Sequence, residues 1–213
     1  MACIVPYAAA QPWTPSCGRR PSCSSLSPAA APFQPRVLVQ WKPPAPGWCK
    51  LNFDGSVYPD GSGRASIGGA IRDCYGRVLV AFAERTEHWS VGVVEARALI
   101  RGLRLALSFF LGGRLVVEGD DLVLVKLLRG EDTYTRIPEA MEDEIRMLLG
   151  RFLACTVQHI YREGNQVADE LCHQAYQTPG LWKGSALLPL AVLEKARDDA
   201  HGVVHERVRK AKV

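Results

Sequence analysis

KLNFDGSVYPDGSGRASIGGAIRDCYGRVL, residues 50–79, is the stretch on which the fold turns. Its first five residues alternate, placing Leu51 and Phe53 on one face and ending at Asp54, with Gly55 next; this reads as a short strand with one side inward. A Gly-rich loop, 58–64, follows. Two apolar segments, 65–73 and 77–85, are joined by Cys74-Tyr75-Gly76, where Gly76 suits a tight turn, so a hairpin is expected.

Working outward, residues 93–110 repeat Leu99, Leu103, Ala106, Leu107 and Phe110 at helical spacing, with Arg97, Arg101 and Arg104 elsewhere on the wheel, and Gly112-Gly113 ends the helix. RLVVE at 114–118 predicts a strand. Asp120-Asp121 suits the cap of a short helix ending near Gly130, and Pro138 suits the start of another that lines Met141, Ile145, Leu148 and Leu149 on one face. A last strand is expected at 155–162, and Asn165 is placed to cap a final helix through Asp169, Leu171 and Ala175. The order β-β-β-α-β-α-α-β-α predicts an α/β chain: a five-stranded mixed sheet flanked by helices. Residues 179–213 read as a linker and a charged terminal helix.

A chain of 213 residues that is 47% hydrophobic can form one ordinary domain with tails, and wholesale disorder is excluded. No apolar run approaches the roughly 20 residues of a membrane-spanning helix, so no membrane association is expected, and a monomer is the simplest state. The cysteines at 3, 17, 23, 49, 74, 155 and 172 form no CxxC pair and are odd in number, which favours a reducing compartment. Residues 1–36 hold seven prolines, seven alanines, three arginines and no acid. Within a leader spanning 1–47, that composition suits an organelle transit segment for chloroplast or mitochondrion; a Pro-rich leader without an address, on a nuclear or cytoplasmic protein, is the alternative. The net charge of +4 belongs to the tails, because residues 37–178 carry 16 basic and 18 acidic residues.

Four acids stand at element ends among apolar neighbours: Asp54, Glu95, Asp120 and Asp169. Taken singly, each also suits a helix cap or dipole partner, worth about 0.3–1 kcal/mol. Taken together, they are four carboxylates from four elements that one sheet edge can gather. Carboxylates that close repel unless divalent cations neutralise them, and hard cations such as Mg²⁺ prefer oxygen ligands. The chemistry suited to such a cluster is attack of an activated water on a phosphodiester.

The 50–79 run, then VEARALIRGLRLAL, LVVEGDDLVLVKLL and HIYREGNQVADELCHQA, together resemble the type 1 ribonuclease H fold, nearest the plant reverse-transcriptase-like group, over residues 48–178. The resemblance implies an endonuclease that cuts the RNA strand of RNA/DNA hybrids with two Mg²⁺ ions, or Mn²⁺. It makes Asp54 the central ligand, Glu95 the helix ligand, Asp120 the ligand after the fourth strand, and Asp169 the last and more mobile one. Asp121 is then the helix cap, and Glu118 lies behind the ligands or on the surface. Substrate contacts fall to Gly55, Ser56, the loop from Tyr58 to Arg64, Arg162 and Asn165, with RNA distinguished through its 2′-hydroxyls.

The sequence also departs from that pattern. REGNQVA reaches Asp169 without the His-bearing loop of some relatives, and His159 and His173 read as paired or core residues. Where other members carry a basic, Trp-bearing helix, residues 137–151 hold Glu139, Glu142, Asp143 and Glu144 against Arg146 and Arg151, so modest affinity for hybrid is expected. The alternative to an enzyme is a domesticated, retroelement-derived module that binds nucleic acid or a protein without turnover.

Overall fold

The computed structural model describes residues 36–208, apart from 111, 132–133 and 135–136; most of the leader lies outside the described residues. The elements are β1 (Arg36–Val39), β2 (Trp48–Val57), β3 (Arg64–Arg72), β4 (Val78–Glu87), α1 (Val91–Phe110), β5 (Arg114–Gly119), α2 (Leu122–Leu128), α3 (Glu139–Leu149), β6 (Ala154–His159), α4 (Gln166–Gln177), β7 (Gly180–Lys183), α5 (Leu190–Ala200) and β8 (His205–Val208). From β2 to α4 the order is the expected one. The mixed sheet runs β6-β5-β2-β3-β4-β7. The neighbours β2, β5 and β6 are parallel, and β2, β3, β4 and β7 are antiparallel.

Two findings extend the sequence reading. The five expected strands gain a sixth: β7, in a segment read as linker, pairs with β4 through Val80 to Ala83. Its four residues, GLWK, alternate only weakly in burial, too short a signal to identify from sequence. In addition, β1 and β8 pair antiparallel as a separate two-stranded ribbon that joins the two flanks of the chain.

Each face of the sheet meets helices. Leu51 and Phe53 point inward as expected, packing with Leu99 and Leu103 of α1, Leu115 and Val117 of β5, and Ile145 of α3. The other face is not left to water. Ala70, Ala81 and Ala83 pack under Leu171 and Ala175 of α4 and Val192 of α5. Small residues on this side allow a close approach: a Cβ on Gly68 would lie 2.6 Å from the backbone nitrogen of Cys172 in α4. In β2 the same face carries Lys50, Asn52 and Asp54, all buried.

Candidate active site

Strand register assembles the site. In the parallel pairing of β2 with β5, Asn52 lies beside Glu118, so two residues onward Asp54 comes beside Asp120, just past the end of β5. Glu95, on the second turn of α1, reaches the same point because Gly55 lets the helix approach: a Cβ there would lie 2.5 Å from the Glu95 nitrogen. One carboxylate oxygen from each of Asp54, Glu95 and Asp120 lies within 4.8 Å of the others. Asp54 and Glu95 are only 7% and 5% exposed, and Asp120 is half-buried.

No basic side chain is hydrogen-bonded to any of the three among the described residues, and their protonation shows the consequence. Burial, then the charge of Asp120, pushes the Asp54 carboxyl up to about 6. Burial, then Asp54 and Asp120, pushes Glu95 well above the usual carboxylate range. Asp120 is raised by burial, with a hydrogen bond from Asn165 opposing the shift. Glu95 Oε2 is buried without a hydrogen-bond partner. An all-oxygen donor set with an unpartnered buried oxygen and excess negative charge fits a hard divalent cation.

Asp169 stands apart from these three. On the first turn of α4, it accepts from Arg162 at 2.5 Å and has His173 Nδ1 at 3.7 Å. The structure therefore brings together three of the four expected acids and holds the fourth in an ion pair at the rim. His173, expected to be paired or in the core, is exposed beside Asp169, while His159 stacks edge-on with Tyr161 at 5.3 Å.

The expected substrate-contact residues divide similarly. Gly55, Ser56 and Arg162 line a cleft of about 350 Å³ with the triad. Tyr58 and Arg64 lie away from that cleft: the Arg64 guanidinium sits 4.4 Å from the Tyr58 ring centroid and pairs with Asp60 at 2.6 Å. Asn165 takes the helix-cap position expected of it, but its side chain caps nothing. Instead its Nδ2 donates to Phe53 O at 2.9 Å and to Asp120 Oδ1 at 3.1 Å. Asp121 caps α2 as expected, accepting from the Val123 and Leu124 amides.

Of the two places expected for Glu118, the structure gives the one behind the ligands: it is buried and holds Lys50 Nζ at 2.7 Å and Asn52 Nδ2 at 2.9 Å. Asn52 and Lys50 escaped the sequence reading. Their one signal was polar residues on the second face of a strand whose first face is core. A neighbouring groove of about 750 Å³, with the exposed rings of Trp89 and Tyr134 in its lining, shares Val91 and Asp121 with the site and also went unread.

The reverse transcriptase-like family matches residues 52–175, more than half of the chain. The chain belongs to that family. A candidate ribonuclease H protein of Arabidopsis thaliana is 28% identical to it over 176 residues, 82% of this chain but 28% of the relative, so the chain spans little more than a quarter of that protein. Among solved structures, ribonuclease H1 of the halophilic archaeon Halobacterium salinarum is similar at a TM-score of 0.56 and 25% identity, covering 61% of this chain and 98% of that one. A ribonuclease H1 isolated from compost by a metagenomic approach gives 0.55 and 26%, over 61% and 95% of the two chains. The complex of that ribonuclease H1 with an RNA/DNA hybrid gives 0.52 and 25%, over 60% and 95%. This member of the reverse transcriptase-like family thus carries a type 1 ribonuclease H-like domain, as the sequence motifs indicated.

Proposed function

We propose that the domain is a divalent-cation-dependent endonuclease that hydrolyses the RNA strand of RNA/DNA hybrids. The observation that carries this reading is the convergence of Asp54, Glu95 and Asp120 within 4.8 Å, with no basic side chain hydrogen-bonded to any of them among the described residues. Such a cluster is costly to a fold unless a cation occupies it, and a module that only binds has no use for it. The compost ribonuclease H1 seen with a hybrid supports the choice of substrate.

These three acids would hold Mg²⁺, or Mn²⁺, as a pair of ions, with Asp169 joining when it leaves Arg162. When bound, the ions supply an activated water and neutralise charge on the departing oxygen. The chain's own residues do the rest. Gly55 and Ser56 present backbone and a hydroxyl along the cleft, suited to ribose 2′-hydroxyls. Arg162 stands at the rim, where a phosphate would approach. Asn165 fixes Asp120 through a donated hydrogen bond.

The test is to incubate the full chain with RNA/DNA hybrid and Mg²⁺ beside an Asp54→Asn variant. Cleavage by the wild type alone is the expected result. Cleavage by both proteins, or by neither, rejects the assignment.

A further inference from the structure

A buried chain of side-chain amides runs from the flanks of the protein to the candidate site. Asn52 Oδ1 accepts from Trp41 Nε1 at 2.9 Å and from Arg72 Nη2 at 2.8 Å. Its Nδ2 donates to Glu118 Oε2 at 2.9 Å and to Asn165 Oδ1 at 3.3 Å. Arg72 is itself held by Asp199 of α5 at 2.6 Å, with its guanidinium 3.5 Å from the Trp41 ring centroid. Trp41, Asn52, Arg72 and Asn165 are each no more than 1% exposed.

The chemistry of these groups fixes the direction of every bond. Indole and guanidinium are donors only, so the oxygen of Asn52 must face Trp41 and Arg72. Its NH₂ must then face Glu118 and Asn165. Asn165 must receive that donor on its oxygen, which turns its own NH₂ toward Phe53 O and Asp120 Oδ1. With Asn165 reversed, its oxygen would confront two acceptors with no proton between them.

We propose that Trp41, Arg72 and Asn52 are positioning residues that set the amide orientation of Asn165, and thereby the hydrogen bond that orients Asp120 for its cation. The inference rests on the metal-site reading given above. It goes beyond that reading because Trp41 and Asp199 lie outside the family-matched residues 52–175. The segment before β2 and helix α5 are therefore part of the site's support. Partners that orient a metal ligand from behind commonly matter by about 10- to 100-fold in metal affinity or activity.

The test is the pair Asn52→Asp with Glu118→Gln, which conserves shape and total charge. The carboxylate introduced at position 52 accepts from Trp41, Arg72 and the amide introduced at position 118, so those three partners stay satisfied. Asn165, however, now meets an acceptor and must turn its NH₂ toward residue 52, withdrawing it from Asp120. Three readouts are compared with wild type: Mn²⁺ affinity by calorimetry, kcat on hybrid, and NMR contacts from the Asn165 side-chain amide protons. The expected result is a lowered but still cooperative melting transition, a fall of about 10- to 100-fold in Mn²⁺ affinity and kcat, and Asn165 contacts that move from Asp120 to residue 52. Wild-type affinity and kcat in a folded double variant overturn the proposal. So does the absence of an Asn165–Asp120 contact in the wild type, a measurement that needs no variant to fold. If wild type neither cleaves hybrid nor binds Mn²⁺ while the amide contacts move as described, the orientation relay is upheld and the nuclease reading is what fails.

Discussion

Two sets of buried carboxylates lie side by side in this domain and are handled in opposite ways. Glu118 and Asp199, 5% and 4% exposed, each face a buried cation at close range: Lys50 at 2.7 Å and Arg72 at 2.6 Å. Asp54 and Glu95 are as deeply buried and face one another and Asp120 instead. The first set is neutralised within the chain and serves the fold. The second has no cation hydrogen-bonded to it among the described residues, so the fold carries a cost that a bound cation would relieve. Burial of an acid alone therefore says little about function; what matters is whether the chain also supplies the counter-charge.

The largest expected effects break one set or the other. If the proposed function holds, replacing Asp54 by Asn removes the central oxygen ligand, and a loss of several kcal/mol of charge stabilisation lowers kcat on hybrid by about 10⁴-fold. Single-turnover cleavage with Mg²⁺ measures it, and a loss under tenfold would place Asp54 outside the chemistry. Replacing Arg72 by Ala strands Asp199 and Asn52 in the interior, costing about 3–5 kcal/mol of stability by urea unfolding. The double change Arg72→Met with Asp199→Leu, which removes both charges, recovers most of that loss. If the single change is harmless, the paired set is not structural.

The next effect concerns the unpaired set. Asp54, held near 6 in the folded chain against 3.8 when unconstrained, binds its proton more tightly folded than unfolded. Its contribution leaves the metal-free protein most stable below about pH 4, and stability falls as pH rises through 6. Above pH 6, Asp54→Asn is thus expected to stabilise the metal-free protein, by roughly 3 kcal/mol, with the gain vanishing near pH 4. Urea midpoints at pH 4 and pH 7 in chelator decide it. A loss of stability in Asp54→Asn at pH 7 would move Asp54 into the paired class.

Much of this was legible in the sequence, for reasons particular residues show. Leu51 and Phe53 alternate against α1, so the first face of β2 could be read from period alone. The triad could be read because each acid follows an apolar run at an element end. The second face could not, because the partners that make Lys50 and Asn52 internal come from positions 41, 42, 72, 118 and 165, and polar residues on alternate strand positions normally signal water. Asn165 misled for a similar reason. An Asn at a helix start is the usual cap, yet here the side chain is recruited by Phe53 O and Asp120, contacts that only tertiary structure creates.

Asp169 offers the smallest effect and the sharpest edge to the comparison, because it belongs to neither set. Its side chain is 26% exposed and its partner Arg162 is 68% exposed, so the pair is screened by water and worth about 0–1 kcal/mol. Arg162→Ala is therefore expected to change stability by less than about 1 kcal/mol, unlike Arg72→Ala. It has a second consequence at the site. The Arg162 charge opposes the upward shifts of Asp54 and Asp120, so its loss raises both and moves the acid limb of Mn²⁺ binding to higher pH. Mn²⁺ titrations between about pH 5 and 8 beside urea unfolding separate the two consequences. A large destabilisation with an unmoved binding profile would make Asp169 another internally paired acid. The opposite result marks it as an acid held loosely by its own chain, free to exchange Arg162 for the cation of the proposed site.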